Sequence, residues 1–135
     1  MSANASYMAV HGHDAEIVSI DMDRKNSVCR LGLSHEGEKR SSFELFELVA
    51  FRVEDFGLQN VVSRILRATA KDFSEDDLNH WLEWATSLSD ASSWLKPERK
   101  REWIEALNDG RLELIVLEPS AGAQIVAVCG RAGFS

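Results

Sequence analysis

Between Phe43 and Val53 the chain carries apolar side chains on both alternating sets of positions, and this run restricts the available folds more than any other stretch. One set holds Phe43, Leu45, Glu47, Val49, Phe51 and Val53; the other holds Glu44, Phe46, Leu48, Ala50 and Arg52. A strand that is apolar on both faces at its middle and polar at its ends needs cover on both sides, so it is expected to be central in a sheet. It is also longer than the usual five or six residues. Glu47 breaks the scheme. Either a β-bulge near Phe46 turns it outward, or a carboxylate lies on the core face with a partner. An unpaired buried carboxylate is costly, so the bulge is preferred.

The flanking segments supply neighbours for such a strand. From Glu16 to Met22, Val18, Ile20 and Met22 alternate with Ser19 and Asp21, with Ile17 as the exception; this is the period of a half-buried strand. Asp23 to Asn26 makes a polar turn, and Val28 to Leu33 resumes with Cys29, Leu31 and Leu33 on one face, which predicts a hairpin. The polar stretch Ser34 to Ser42, containing Gly37, returns the chain for the long third strand. Residues 1–12 show no periodicity and read as a loosely ordered tail.

Beyond the third strand lies a polar corner, Glu54 to Asn60. Val61 to Leu66 then fits either a strand or a helix, its β-branched residues tilting the reading towards a strand. Ser74 followed by Glu75, Asp76 and Asp77 marks a helix start, and Leu78, Trp81, Leu82, Ala85 and Leu88 follow at helical spacing. Pro97 opens a second helix reaching about Asn108, with Gly110 as its stop. Leu112 to Leu117 and Gln124 to Val128 read as a hairpin about a turn at Glu118 to Gly122. Strands, then helices, then strands predict one α+β domain over 1–135. Its sheet is mainly antiparallel, an N-terminal three-stranded meander plus a C-terminal hairpin, with two helices packed on one face.

A chain of 135 residues, 44% of them hydrophobic, can bury a core without metal or disulfide, so no cofactor is expected. The net charge of −7 disfavours nucleic acid and favours basic partners. Met1 to Tyr7 lacks the pattern of a signal peptide and no apolar run reaches membrane-spanning length, so a cytoplasmic location is expected. Cys29 and Cys129, each inside an apolar run, read as free core thiols. The glycosylation pattern Asn4, Ala5, Ser6 has meaning only on a secretory route.

His13, Asp14 and Ala15 ahead of the first strand, with Phe51, Arg52, Val53 and the series Asp55, Phe56, Gly57, Leu58, Gln59, Asn60, Val61, Val62, resemble small bacterial domains, some similar to immunity proteins of polymorphic toxin systems. The resemblance spans Gly12 to Leu66. It implies a protein-binding inhibitor and carries over no catalytic or contact residue.

Candidate sites follow from chemistry. Glu47, Glu54, Asp55, Gln59 and Asn60 could form a polar corner with paired carboxylates, which divide acid and base roles only where their environments separate them. The structural alternative, which is preferred, has Asp55 and Asn60 satisfying a tight turn, Gly57 at positive φ, and Gln59 bonding across the sheet. Trp84 and Trp94 fall off the apolar stripes and are candidate interface anchors, although Trp94 can also plug the space between the helices. Lys96, Arg99, Lys100 and Arg101 place positive charge at a helix start, against the dipole. His11, His13 and Asp14 are the nearest approach to metal ligands, too few for a zinc centre, and the preferred reading is no metal. The expected function is a non-catalytic protein-interaction domain, an immunity-type inhibitor meeting a basic toxin domain. The alternative is a small ligand-binding module or enzyme using the corner.

Overall fold

The computed structural model describes residues 14–35, 39–68, 72–88 and 91–135. The expectations for the tail 1–12, for His11 and His13, for Gly37 and for the glycosylation pattern at Asn4 lie outside these. Among the described residues ten elements follow in order: β1 (Glu16–Asp23), β2 (Val28–Ser34), β3 (Arg40–Phe46), β4 (Ala50–Glu54), β5 (Val61–Arg67), α1 (Glu75–Ala85), α2 (Pro97–Asp109), β6 (Glu113–Ala121), β7 (Gln124–Cys129) and β8 (Arg131–Phe134). All eight strands join one antiparallel sheet in the order β4-β7-β6-β5-β1-β2-β3-β8.

The two ends of that order are joined by the chain itself. β3 leads into β4 through Glu47, Leu48 and Val49, β7 leads into β8 through Gly130, and β3 pairs with β8 while β4 pairs with β7. The sheet therefore closes into a ring of six lanes, two of them long and interrupted. The core has the composition that closure requires. Ile17, Leu31, Phe43, Val62, Ile115 and Ile125 from six different strands belong to one buried cluster, with Phe51, Val53, Ala132 and Phe134 packed against it. The weakest seam is β1 with β5, a single paired position, Glu16 with Val61, reinforced by backbone bonds among Asp14, Ala15, Ile17, Asn60 and Val62.

Alternation along β6 and β7 divides two cores. Ile115, Leu117, Ile125 and Ala127 point into the barrel, and Leu114, Val116, Val126 and Val128 point outward to Leu78, Leu82, Ala85 and Leu107 of the helices. α1 begins with a capping box, in which Ser74 accepts from the Asp77 N–H and Asp77 accepts from the Ser74 N–H. α2 has Pro97 in its first turn and ends at Gly110 with φ 79°.

Several expectations need correction. The sheet is larger than a meander plus a hairpin, and the long third strand is two strands. Phe46 pairs with Arg131 but Ala50 with Val128, so four steps on one side face three on the other. This is a bulge, with Glu47 at φ 55° and the Gly130 N–H shared between the carbonyls of Phe46 and Glu47. Glu47 is exposed, as the preferred bulge reading expected. A second bulge, at Val18, shifts the phase at the start of β1: Ile17 is buried and Val18 exposed, while beyond the bulge Ile20 packs on the core as expected and Met22, opposite the buried Cys29, is 39% exposed. Val61–Arg67 is a strand, the reading its β-branched residues favoured. β6 runs through the expected turn to Ala121, because the start of β5 pairs with it there. Pro119, which has no N–H to donate, sits where that register shifts. Leu88 lies beyond the end of α1 and is exposed.

Candidate functional site

The corner between β4 and β5 is built on Asn60. Its side-chain Oδ1 accepts from the N–H of Gly57 (2.9 Å) and of Ala123 (3.2 Å), and its Nδ2 donates to the Gly57 carbonyl (2.8 Å). Its own carbonyl accepts from Ile17 N–H (2.8 Å). One amide, 2% exposed, thus ties the corner loop to the β6–β7 turn and to β1. Every polar atom of that side chain shown here serves the backbone. The positive φ of the loop falls on Asp55 (64°), not on Gly57. Gln59 is exposed, and no bond across the sheet is seen from it.

This bracing presents an apolar tip. Phe56 is 47% exposed and Leu58 fully exposed, on a loop whose two ends are held by Asn60 and by β4. Neither residue was singled out by sequence reasoning. The available signal was two large apolar side chains inside an otherwise polar series, where a turn needs none.

The carboxylates do not converge. Glu47 sits at the opposite end of β4 from Asp55 and Asn60, with its side chain over Gly130, where an added Cβ would lie 2.8 Å from Glu47 Cβ. Glu54 pairs with Arg52 (2.7 Å). The Arg52 guanidinium also donates to the Trp84 carbonyl (2.9 Å) and lies 4.1 Å above the Trp84 ring. Trp84 is therefore half-buried beneath a cation and edge-on to Trp81 (5.9 Å). Among the described residues no three His, Cys, Asp or Glu side chains come together as metal ligands.

The basic group at the start of α2 is only partly spent. Lys100 reaches Glu83 (2.9 Å) and Arg99 approaches Glu102 (4.0 Å). Lys96 is the helix N-cap residue and makes no side-chain cap bond. Trp94, 56% exposed, stands edge-on to Trp103 at 6.2 Å. It rests on the helix pair with one face open to solvent.

Sequence reasoning also missed a buried ion pair. Arg67, at the end of β5, bonds Glu113, at the start of β6, and donates to the Ala132 carbonyl (3.1 Å). Both side chains are nearly covered, at 12% and 6% exposure. Glu113 inside the apolar run Leu112 to Leu117 was the signal. Nearby, burial and the Glu113 carboxylate push the Cys129 thiol up to about 12, and burial and Asp21 push Cys29 up to about 11. Both cysteines are free and buried, so neither is poised as a nucleophile.

Clefts among the described residues include two lined by apolar side chains. One, of about 320 Å³, lies between the helices and the end of β5, lined by Ala68, Phe73, Leu78, Leu107 and Asn108. The other, of about 220 Å³, lies beside the Glu47 bulge. Neither contains the corner carboxylates. No helix among the described residues is long and apolar enough to cross a membrane. Comparison with known protein families, curated proteins and solved structures returns no match to this chain.

Proposed function

We propose that the chain is a non-catalytic protein-interaction domain whose partner contact centres on Phe56 and Leu58 at the β4–β5 corner. The observation that carries this reading is a fully exposed leucine on a loop braced by the buried Asn60 amide. Scattered exposed apolar residues are ordinary. Here two share one ordered tip, so binding loses little loop entropy and gains two apolar anchors. Glu54 and Asp55 beside them, and a net charge of −7, favour a partner whose apolar socket has a basic rim. The specific form of this reading is a cytoplasmic bacterial inhibitor of the immunity type, set against a basic toxin domain. The enzyme alternative draws no support from the corner, whose amide is committed to the backbone, whose Glu54 is paired with Arg52, and from which Glu47 stands apart at the far end of β4.

Co-expression with the genomically neighbouring toxin, with pulldown and growth rescue, tests the proposal. Wild-type chain should bind and protect. Leu58→Asp combined with Phe56→Ser should lose binding at least tenfold while unfolding at the same urea concentration. Retained binding by that variant removes the corner from the interface, and loss of binding only with Trp94→Ala moves the contact to the helices. Failure of the wild type to bind or protect sinks the immunity form.

A further inference from the structure

Beyond the bulge at Glu47 the β3–β4 lane leaves β2. β3 pairs with β2 as far as Leu45, the Leu48 N–H then reaches the Ser27 carbonyl in the β1–β2 turn (2.9 Å), and among the described residues β4 is paired with β7 alone. Among those residues β4 is therefore a strand with one open edge. The gap between that edge and the tip of the β1–β2 hairpin is the cleft of about 220 Å³, lined by Met22, Arg24, Leu48, Val49 and Phe51 among others. Met22 and Val49 are exposed at its mouth, at 39% and 45%. Among the described residues no carboxylate pairs with the Arg24 guanidinium.

We propose that this cleft is a peptide-binding site, taking an extended segment of a partner protein as an added strand on β4, with an apolar side chain in the cleft and a carboxylate on Arg24. An open edge offers a row of backbone groups to a second chain, and natural sheets cover or charge such edges when they are not used. The apolar lining selects the side chain next to the added strand. Arg24 supplies the one positive charge in the cleft lining, on a chain of net charge −7, which favours a single carboxylate rather than an acidic run. The volume holds one or two side chains, so specificity rests on a short segment. The site lies at the opposite end of β4 from Phe56 and Leu58 and does not depend on the corner contact.

Selection of two random dodecapeptide libraries on the full chain tests this, one displayed with free C-termini and one with the peptide internal. Enriched peptides should alternate apolar with other residues and carry one Asp, Glu or terminal carboxylate; the library that enriches tells side-chain from terminal carboxylate. Synthetic versions should bind at least tenfold more weakly to Arg24→Glu and to Met22→Lys, both exposed substitutions, and equally well to Leu58→Asp. Bound peptide should slow amide hydrogen exchange across Val49 to Glu54. Four results overturn the proposal: no enrichment, affinity that survives Arg24→Glu, protection confined to other segments, or apolar spacing of three and four residues, as on a helix. A concentration-dependent dimer that protects the same amides and is abolished by Arg24→Glu also overturns it, since the occupant is then a second copy.

Discussion

The Asn60 side chain occupies the space that a side chain on Gly122 would need. A Cβ at Gly122 would collide with the Gln59 carbonyl oxygen and lie 2.9 Å from Asn60 Cα, and Gly122 already stands at φ 78°. Two penalties therefore coincide, left-handed backbone and overlap with backbone atoms that cannot turn away. Gly122→Ala should cost more than about 2 kcal/mol in urea unfolding. Asn60→Ala, which strands the Gly57 and Ala123 N–H groups, should cost about 2 to 4 kcal/mol. Gly57→Ala is the control: it has no neighbour within 4 Å and no positive φ, so stability should stay within about 0.5 kcal/mol. Equal losses at Gly57 and Gly122 would mean the corner is not braced as described.

At the other end of β4, Glu47 and Gly130 depend on each other. Glu47 adopts φ 55° and folds over Gly130. Glu47→Gly relieves a left-handed non-glycine residue at some cost in chain entropy, and should leave stability unchanged or raise it by up to about 1 kcal/mol. Gly130→Ala should destabilise the wild type, and markedly less so in the Glu47→Gly background. A double-mutant cycle read by urea unfolding measures the coupling, expected at about 1 kcal/mol or more. Strict additivity would place the Gly130 requirement elsewhere.

What was legible in the sequence depended on whether its cause was local. Ser74 with Asp77, Pro97 and Gly110 mark helix ends through bonds made within a few residues, and the helices stand where those residues place them. The Cys29, Leu31, Leu33 alternation is equally local and matches the buried face of β2. The bulge at Glu47 was legible too, because a carboxylate inside an apolar run is costly to bury. The bulge at Val18 was not: it shifts a register that only the partner strand defines. The same holds for the closure of the ring, which rests on β1 meeting β5 and β3 meeting β8 across long stretches of chain. Of the candidate site, the role of Asn60 was legible because short amides serve turns. The separation of Glu47 from Asp55 was not, because it depends on where β4 begins.

Arg67 and Glu113 stabilise as a pair and destabilise singly. Either charge left alone at this depth keeps its desolvation cost without its counter-ion. Glu113→Gln and Arg67→Met should each cost about 3 to 5 kcal/mol. The combined Arg67→Met, Glu113→Leu variant should lose much less than the sum, since apolar replacement removes both burdens together. Arg67 also donates to the Ala132 carbonyl, so the single Arg67 variant should loosen β8, seen as faster amide exchange at Arg131 to Phe134.

The two buried thiols make the protein sensitive to alkali. Their ordinary value is 9.0, and burial holds Cys29 at about 11 and Cys129 at about 12. Between pH 9 and those values the unfolded chain has released thiol protons that the folded chain retains. The unfolded state then binds fewer protons, and stability must fall as pH rises. The limiting slope is about 1.4 kcal/mol per pH unit for each thiol, levelling off once the folded thiols also ionise. Below pH 9 the thiols contribute no slope. The Cys29→Ala, Cys129→Ala double variant, though less stable at pH 7 from lost packing, should unfold with a flatter dependence between pH 9 and pH 11 than the wild type. Lysine and tyrosine titration is common to both and cancels. Parallel curves would show that the thiols are reached by solvent in the native state, and a thiol reagent at pH 8 would then label both cysteines without unfolding. The expected result is that labelling waits for global unfolding.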